Sequence, residues 1–135
     1  SLGAHPYFVP VEHTPIARAA LGPDALLAPE QAVVFSTDPT TARGVARGFM
    51  STYLGLPNYT NNLRRLGWSE EDIAGPSDCL VDAIVAWGTL DDIRERIVAH
   101  LDGGADHVCV QVLSANPAAV TMDEFRQLAT LIPTL

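Results

Sequence analysis

The sequence predicts an α/β protein built on parallel strands. Three observations carry this. Short apolar, β-branched runs recur along the chain, most are followed by a helix-start signal, and the helical stretches carry apolar residues at a 3.6-residue period. The runs are apolar on both faces, as strands covered by helices must be, and alternation of this kind implies right-handed crossovers between parallel neighbours.

The first unit opens with an extended run at residues 4–11 and continues into a helix from about Pro15 to Leu21, stopped by Gly22-Pro23. Thr14 reads as its N-cap, with Pro15 at the first helical position, where the amide that proline lacks has no partner anyway. The second unit is EQAVVFST, residues 30–37, followed by the same device at Asp38-Pro39 and a helix to about Leu54. Val45, Phe49, Met50 and Tyr53 mark that helix's apolar side, and Arg43 and Arg47 its wet side. Residues 55–88 form an interrupted helical stretch: a short helix ended by Gly67, a turn opened by Ser69 with Glu70, Glu71 and Asp72, and a segment opened by Ser77-Asp78. The end of that segment, residues 83–88, reads equally as a short strand.

The fourth unit is a helix capped by Thr89, with Asp91 and Asp92 in its first turn and a stripe of Ile93, Ile97, Val98 and Leu101, ended by Gly103-Gly104. A buried strand, DHVCVQVL at residues 106–113, follows, and then a last helix, DEFRQLATLI, with Thr121 and Glu124 as a capping box. Three clear strands and an ambiguous fourth are too few to close a sheet. They amount to about half of a (β/α)8 barrel, about four β/α units, since a whole barrel takes ~250 residues. The 135 residues read as one domain. Because an extended run begins almost at the first residue, the domain is expected to be part of a longer chain.

Composition removes several classes. A net charge of −8, with eight arginines and no lysine, disfavours nucleic acid as a partner. The apolar runs fall far short of the ~18 residues of a membrane span, and no signal sequence opens the chain. Cys79 and Cys109 lie in apolar contexts without CxxC spacing, and are expected as buried thiols of a cytoplasmic protein. No HExxH, clustered Cys/His, GxGxxG or P-loop pattern occurs, so no metal site is expected.

Four stretches, GAHPYFVPVEHTPIARAALGP, LGLPNYTNNLRRLGW, GTLDDIRERIVAHLD and DGGADHVCVQVL, together resemble the C-terminal half of luciferase-like flavin or deazaflavin monooxygenases. The likeness is to actinobacterial oxidoreductases that use coenzyme F420, and it spans essentially the whole chain in one order. It implies a TIM-like barrel with residues 4–11, 30–37, 83–88 and 106–113 as strands five to eight. It also implies hydride transfer between F420, or alternatively FMN, and a small organic substrate, in a homo-oligomer. The resemblance places the cofactor phosphate on the loop after strand five, at Val11 (through its backbone), His13 and Thr14. There a helix N-terminus with a hydroxyl and an imidazole suits an anion.

On the extended run, His5 and Tyr7 share a face with Val9 and are candidate substrate contacts. Tyr59, amid Tyr53, Asn61, Asn62 and Trp68, is a candidate on a covering segment. Ser114 and Asn116 fall on the active face by topology. His107 is expected to be structural, and His100, on an Arg/Asp-rich helix, to be solvated. No catalytic residue is assigned. A second reading is a truncated half-barrel that binds no cofactor and serves as structural or oligomerising material, its open strand edges favouring assembly.

Overall fold

The computed structural model describes residues 2–116 and 118–135. Its elements are β1 (Gly3–Ala4), α1 (His13–Leu21), β2 (Leu26–Leu27), β3 (Glu30–Val34), α2 (Pro39–Leu54), α3 (Pro57–Arg65), α4 (Glu70–Ala74), α5 (Asp78–Ile84), β4 (Val85–Trp87), α6 (Leu90–Asp102), β5 (Cys109–Val112) and α7 (Met122–Ala129). A 3-10 turn at Ile132–Thr134 follows. All strand pairs are parallel, β1 with β2 and β3 with both β4 and β5. The fold is therefore α/β with parallel strands, arranged as two short sheets; no barrel is formed among the described residues.

The two sheets meet along residues 26–34, which hold β2 of one sheet and β3 of the other. Ladder bonds from Leu26, Ala28 and Glu30 amides to the Leu2, Ala4 and Pro6 carbonyls join residues 2–6 to 26–30. On the other edge, the Asp106 and Cys109 amides donate to Leu27 and Pro29. Residues 2–6, 26–34 and 106–113 thus lie side by side in chain order.

The extended run expected over residues 4–11 ends early. Phe8 has φ 57°, a left-handed conformation that an aromatic residue adopts only under tertiary compulsion. Burial of its ring, 1% exposed, supplies the compulsion. Turning away at Phe8, the chain vacates the upper half of that edge, and β4 occupies it, pairing Val85–Trp87 with Ala32–Val34. This corrects the expected strand order. The 83–88 segment does not stand between the second strand and the last one; β3 touches β5 directly.

Side chains of β3 alternate between two cores. Ala32 and Val34 pack with Phe8, with Ala42, Ala46 and Met50 of α2, and with Leu80, Val81 and Ile84 of α5. Val33 packs with Ala86, with Ile93 and Ile97 of α6, and with Leu131 beyond α7. Arg43 ties α2 to α5 through Asp78 and Asp82. Gly88 carries φ 133°, and a Cβ there would collide with the Asp92 carboxylate, which is held by Thr89 in the capping box of α6.

Four further expectations change. Thr14 is not the cap of α1. The helix starts at His13, Glu12 precedes it without a side-chain cap, and Thr14 is buried, its hydroxyl 2.7 Å from His100 Nδ1. His100 is not solvated but fully buried, with Nε2 3.0 Å from Gln31 Oε1. Cys79 lies exposed on α5, where Leu80, Val81 and Ile84 take the inward positions, and Cys109 is half-buried on an edge strand. At α7, Thr121 precedes the helix but makes no side-chain cap bond, so the expected capping box is not formed.

Candidate strand-end cleft

Two helices, α1, which follows β1, and α6, which precedes β5, lie on one face of the sheet and are joined there by the Thr14–His100 bond. The opposite face, at the C-terminal ends of the strands, carries the chain's polar-aromatic cluster. Gln111 on β5 is in register with Ala32 and so points to this second face. Tyr7 donates its hydroxyl proton to Gln111 Oε1 at 2.8 Å, and its oxygen lies 3.0 Å from the Tyr53 hydroxyl. Burial, reinforced by the bond with Tyr53, raises the Tyr7 pKa, so the phenol stays a neutral donor.

The left-handed turn at Phe8 makes this cluster possible. In an extended strand residues 7 and 8 would point to opposite faces. Here both rings reach Tyr53, with centroids at 5.3 Å for Tyr7 and 5.1 Å for Phe8. Tyr59 completes the cluster edge-on to Tyr53 at 5.2 Å, and Phe49 approaches Tyr53 at 5.0 Å. These rings fix Gln111 from behind.

In front of Gln111 opens a cleft of about 710 Å³ between α2 and the end of β5. Thr40 and Thr41 stand at its helix-N-terminal end, Phe49 and Leu113 on its apolar wall, and Ser114 and Asn116 at its mouth. Gly44 and Gly48 also border it, and a Cβ at either would meet nothing within 4 Å, so the α2 wall is open because two side chains are missing. Crevices at the carboxyl ends of parallel strands are the usual ligand position in α/β proteins, and this volume lies within the ~300–1,000 Å³ of small-molecule sites.

Glu30 lies deeper on the same face. It is 5% exposed, one oxygen accepts a long bond from the Phe8 amide, 3.4 Å, and the other has no partner. Burial pushes its pKa up to about 7. His5 is engaged structurally: Nδ1 sits 2.6 Å from the Ala28 carbonyl, and its ring is 6.2 Å from that of Tyr7.

The structure brings Tyr7 and Tyr59 together, with His5 at their margin and Ser114 and Asn116 at the cleft mouth. It does not bring Val11, His13 and Thr14 to them. The Thr14 hydroxyl is committed to His100 on the far face, the His13 and Thr14 amides donate to Pro10 and Val11 carbonyls, and Pro15 has no amide hydrogen. The His13 pKa is lowered by burial and by Arg65, which keeps the imidazole neutral. In the same corner His13 Nδ1 is buried and has no hydrogen-bond partner among the described residues.

Gln111, Phe49 and Glu30 were not singled out by sequence. The signal for Gln111 was present, as the one polar side chain inside CVQV; Glu30 resembled a polar strand flank. The arginines do not serve the cleft. Each donates elsewhere, as Arg18 to Asp106 and Gly104, Arg64 to Glu70, and Arg96 to Ala83 and Asp82 carbonyls.

Fold and site together define a parallel α/β protein with a neutral, aromatic-backed cleft at its strand ends. No protein-family model, no curated protein and no solved structure matches the chain. Among the described residues no helix is long and apolar enough to cross a membrane, and no group of three metal-ligating side chains gathers.

Proposed function

We propose that this chain is the later part of a luciferase-like oxidoreductase barrel. In it, the cleft beside Gln111 receives a flat heteroaromatic ring of the deazaflavin F420 or of FMN together with a small organic substrate. The observation that carries this reading is the cleft itself, at the strand ends and on the face opposite the two crossover helices. Parallel strands with α1 and α6 on one face agree with a stretch of barrel wall, whereas β4, on the edge of β3 away from β5, departs from the strand order of such a wall. Closure would also require the α2–α5 layer to leave the face bearing Ala32 and Val34, since in a barrel that face lines the lumen.

The donor set fits the ring part of such a cofactor. Phe49 and Leu113 offer apolar contact, and Gln111, Thr41 and Ser114 offer hydrogen bonds to ring carbonyls and nitrogens. It does not fit the phosphate, because no cationic side chain borders the cleft among the described residues. Any phosphate clamp must therefore come from outside these residues. When bound, the ring supplies the hydride chemistry. The chain's own part is to hold Gln111 in one orientation through Tyr7 and Tyr53, and to exclude water with the aromatic cluster. The setting proposed is the cytoplasm, where both cysteines remain thiols.

Fluorescence titration of the purified chain with F420 and with FMN tests the reading. Saturable quenching with a micromolar Kd, weakened about tenfold by Gln111→Leu, is the expected result. Absence of binding by either cofactor transfers the chain to the second reading, structural barrel material without redox function. The commitment of the Thr14 hydroxyl to His100 favours that reading specifically.

A further inference from the structure

The outer edge of β5 is a strand edge with unmet bonding capacity. The Cys109 and Leu113 amides donate inward to Pro29 and Val33, at 2.9 and 2.8 Å. Alternation then turns the amides and carbonyls of Val110 and Val112 outward, where no described strand pairs with them. No charged residue occurs from Val108 to Asn116. Beside this edge, the end of the chain exposes large apolar side chains: Val120 is 81% and Ile132 73% exposed, and Met122, Phe125 and Leu135 are also exposed. Phe125, Leu128 and Ile132 border an apolar cleft of about 640 Å³ against Val108 and Val110. A bare strand edge continuous with an exposed apolar patch has the character of an interface.

We infer that two copies of this chain associate through β5, antiparallel, about a two-fold axis at Gln111. The strip is self-complementary in that register. Val110 faces Val112 of the partner subunit and Val112 faces the partner's Val110, so each pair exchanges both of its outward hydrogen bonds. The Gln111 side chains meet at a non-hydrogen-bonded position. Asp106 falls opposite Asn116 of the partner subunit, so no carboxylate opposes another across the strands. On the Val110 face the exposed residues of the two α7 helices cover each other. A charge of −8 per copy opposes association elsewhere on the surface, which leaves this neutral strip as the place where two copies meet at least electrostatic cost. The inference stands on the edge alone; it concerns the chain of 135 residues, and barrel closure under the proposed function would use the same edge, so the two compete for it.

Sedimentation velocity of the 135-residue chain is expected to give a dimer at micromolar concentration. Val112→Pro removes one outward donor and leaves the inward ladder to β3 untouched, so it should weaken the dimer about tenfold or more. If that variant fails to fold, Phe125→Glu on the solvent side of α7 provides the same reading through the apolar patch. In a Cys79→Ser, Cys109→Ser background, Gln111→Cys should cross-link to its two-fold mate on oxidation, because facing non-hydrogen-bonded positions bring Cβ atoms to about 4.5–5.5 Å. A wild-type chain that stays monomeric into the submillimolar range overturns the inference. So does a dimer unaffected by Val112→Pro and Phe125→Glu and not cross-linked through position 111.

Discussion

Glu30 and His100 are buried titratable groups perturbed in opposite senses. Glu30 is raised from 4.5 to about 7, so its contribution to stability is full below pH 4.5 and is lost as pH rises through 7. His100 is lowered from 6.5 to about 4 by burial, with Arg96 and His13 adding to it; its contribution is full above pH 6.5 and is lost as pH falls through 4. Between pH 4.5 and 6.5 the two slopes oppose each other, and stability should be nearly flat. Glu30→Gln removes only the alkaline loss. Urea midpoints for that variant should climb from pH 4 to 6.5 and then hold level, about 1–3 kcal/mol above the wild type at pH 8. A wild-type profile that does not fall between pH 6 and 8 would show that Glu30 is not buried as described.

At the scale of elements, the parts legible in the sequence were those decided locally. The Asp38 side chain accepts from the Thr41 amide at 2.8 Å, and Ser69, Ser77 and Thr89 cap as their spacing implies, because a cap is settled within four residues. The last helix shows the limit of that rule, since its Thr121 and Glu124 have the spacing without the bonds. What depends on distant contacts was not legible. Nothing in PYFVP announces a left-handed Phe8; it follows from rings contributed by α2 and α3. β4 lies where it does because the chain left that edge at Phe8. His100 was half-legible: it continues the Ile93, Ile97 stripe at helical spacing, and its charged neighbours obscured that. For the site, the strand-end position and the tyrosines could be foreseen, while Gln111 needed the register of β5 against β3. On α2, Gly44→Ala should raise stability by about 0.5–1 kcal/mol, since the helix gains propensity and the Cβ meets open space. Gly44→Leu should instead fill the cleft and weaken ring binding about tenfold with the fold intact by circular dichroism. Equal binding by both variants would place the ligand elsewhere.

For the molecule as a whole, the acidic surface works against an anionic cofactor. At −8, and with no cation bordering the cleft among the described residues, the chain repels a phosphate-bearing ligand at long range. Raising the salt concentration from low to physiological should therefore tighten F420 or FMN binding, the reverse of the dependence a basic site gives. Kd measured across that range checks the sign, and a Kd that rises with salt would reveal a cationic contact that the described residues do not contain.

The Thr14–His100 bond crosses 86 positions of the chain. A nascent chain emerging from the ribosome has made α1 long before it makes His100. Until then the Thr14 hydroxyl and the inner side of α1 lack their permanent cover. Synthesis of the last third is thus the event that locks the first helix in place, and a chain halted after β4 would carry α1 as a loosely held appendage.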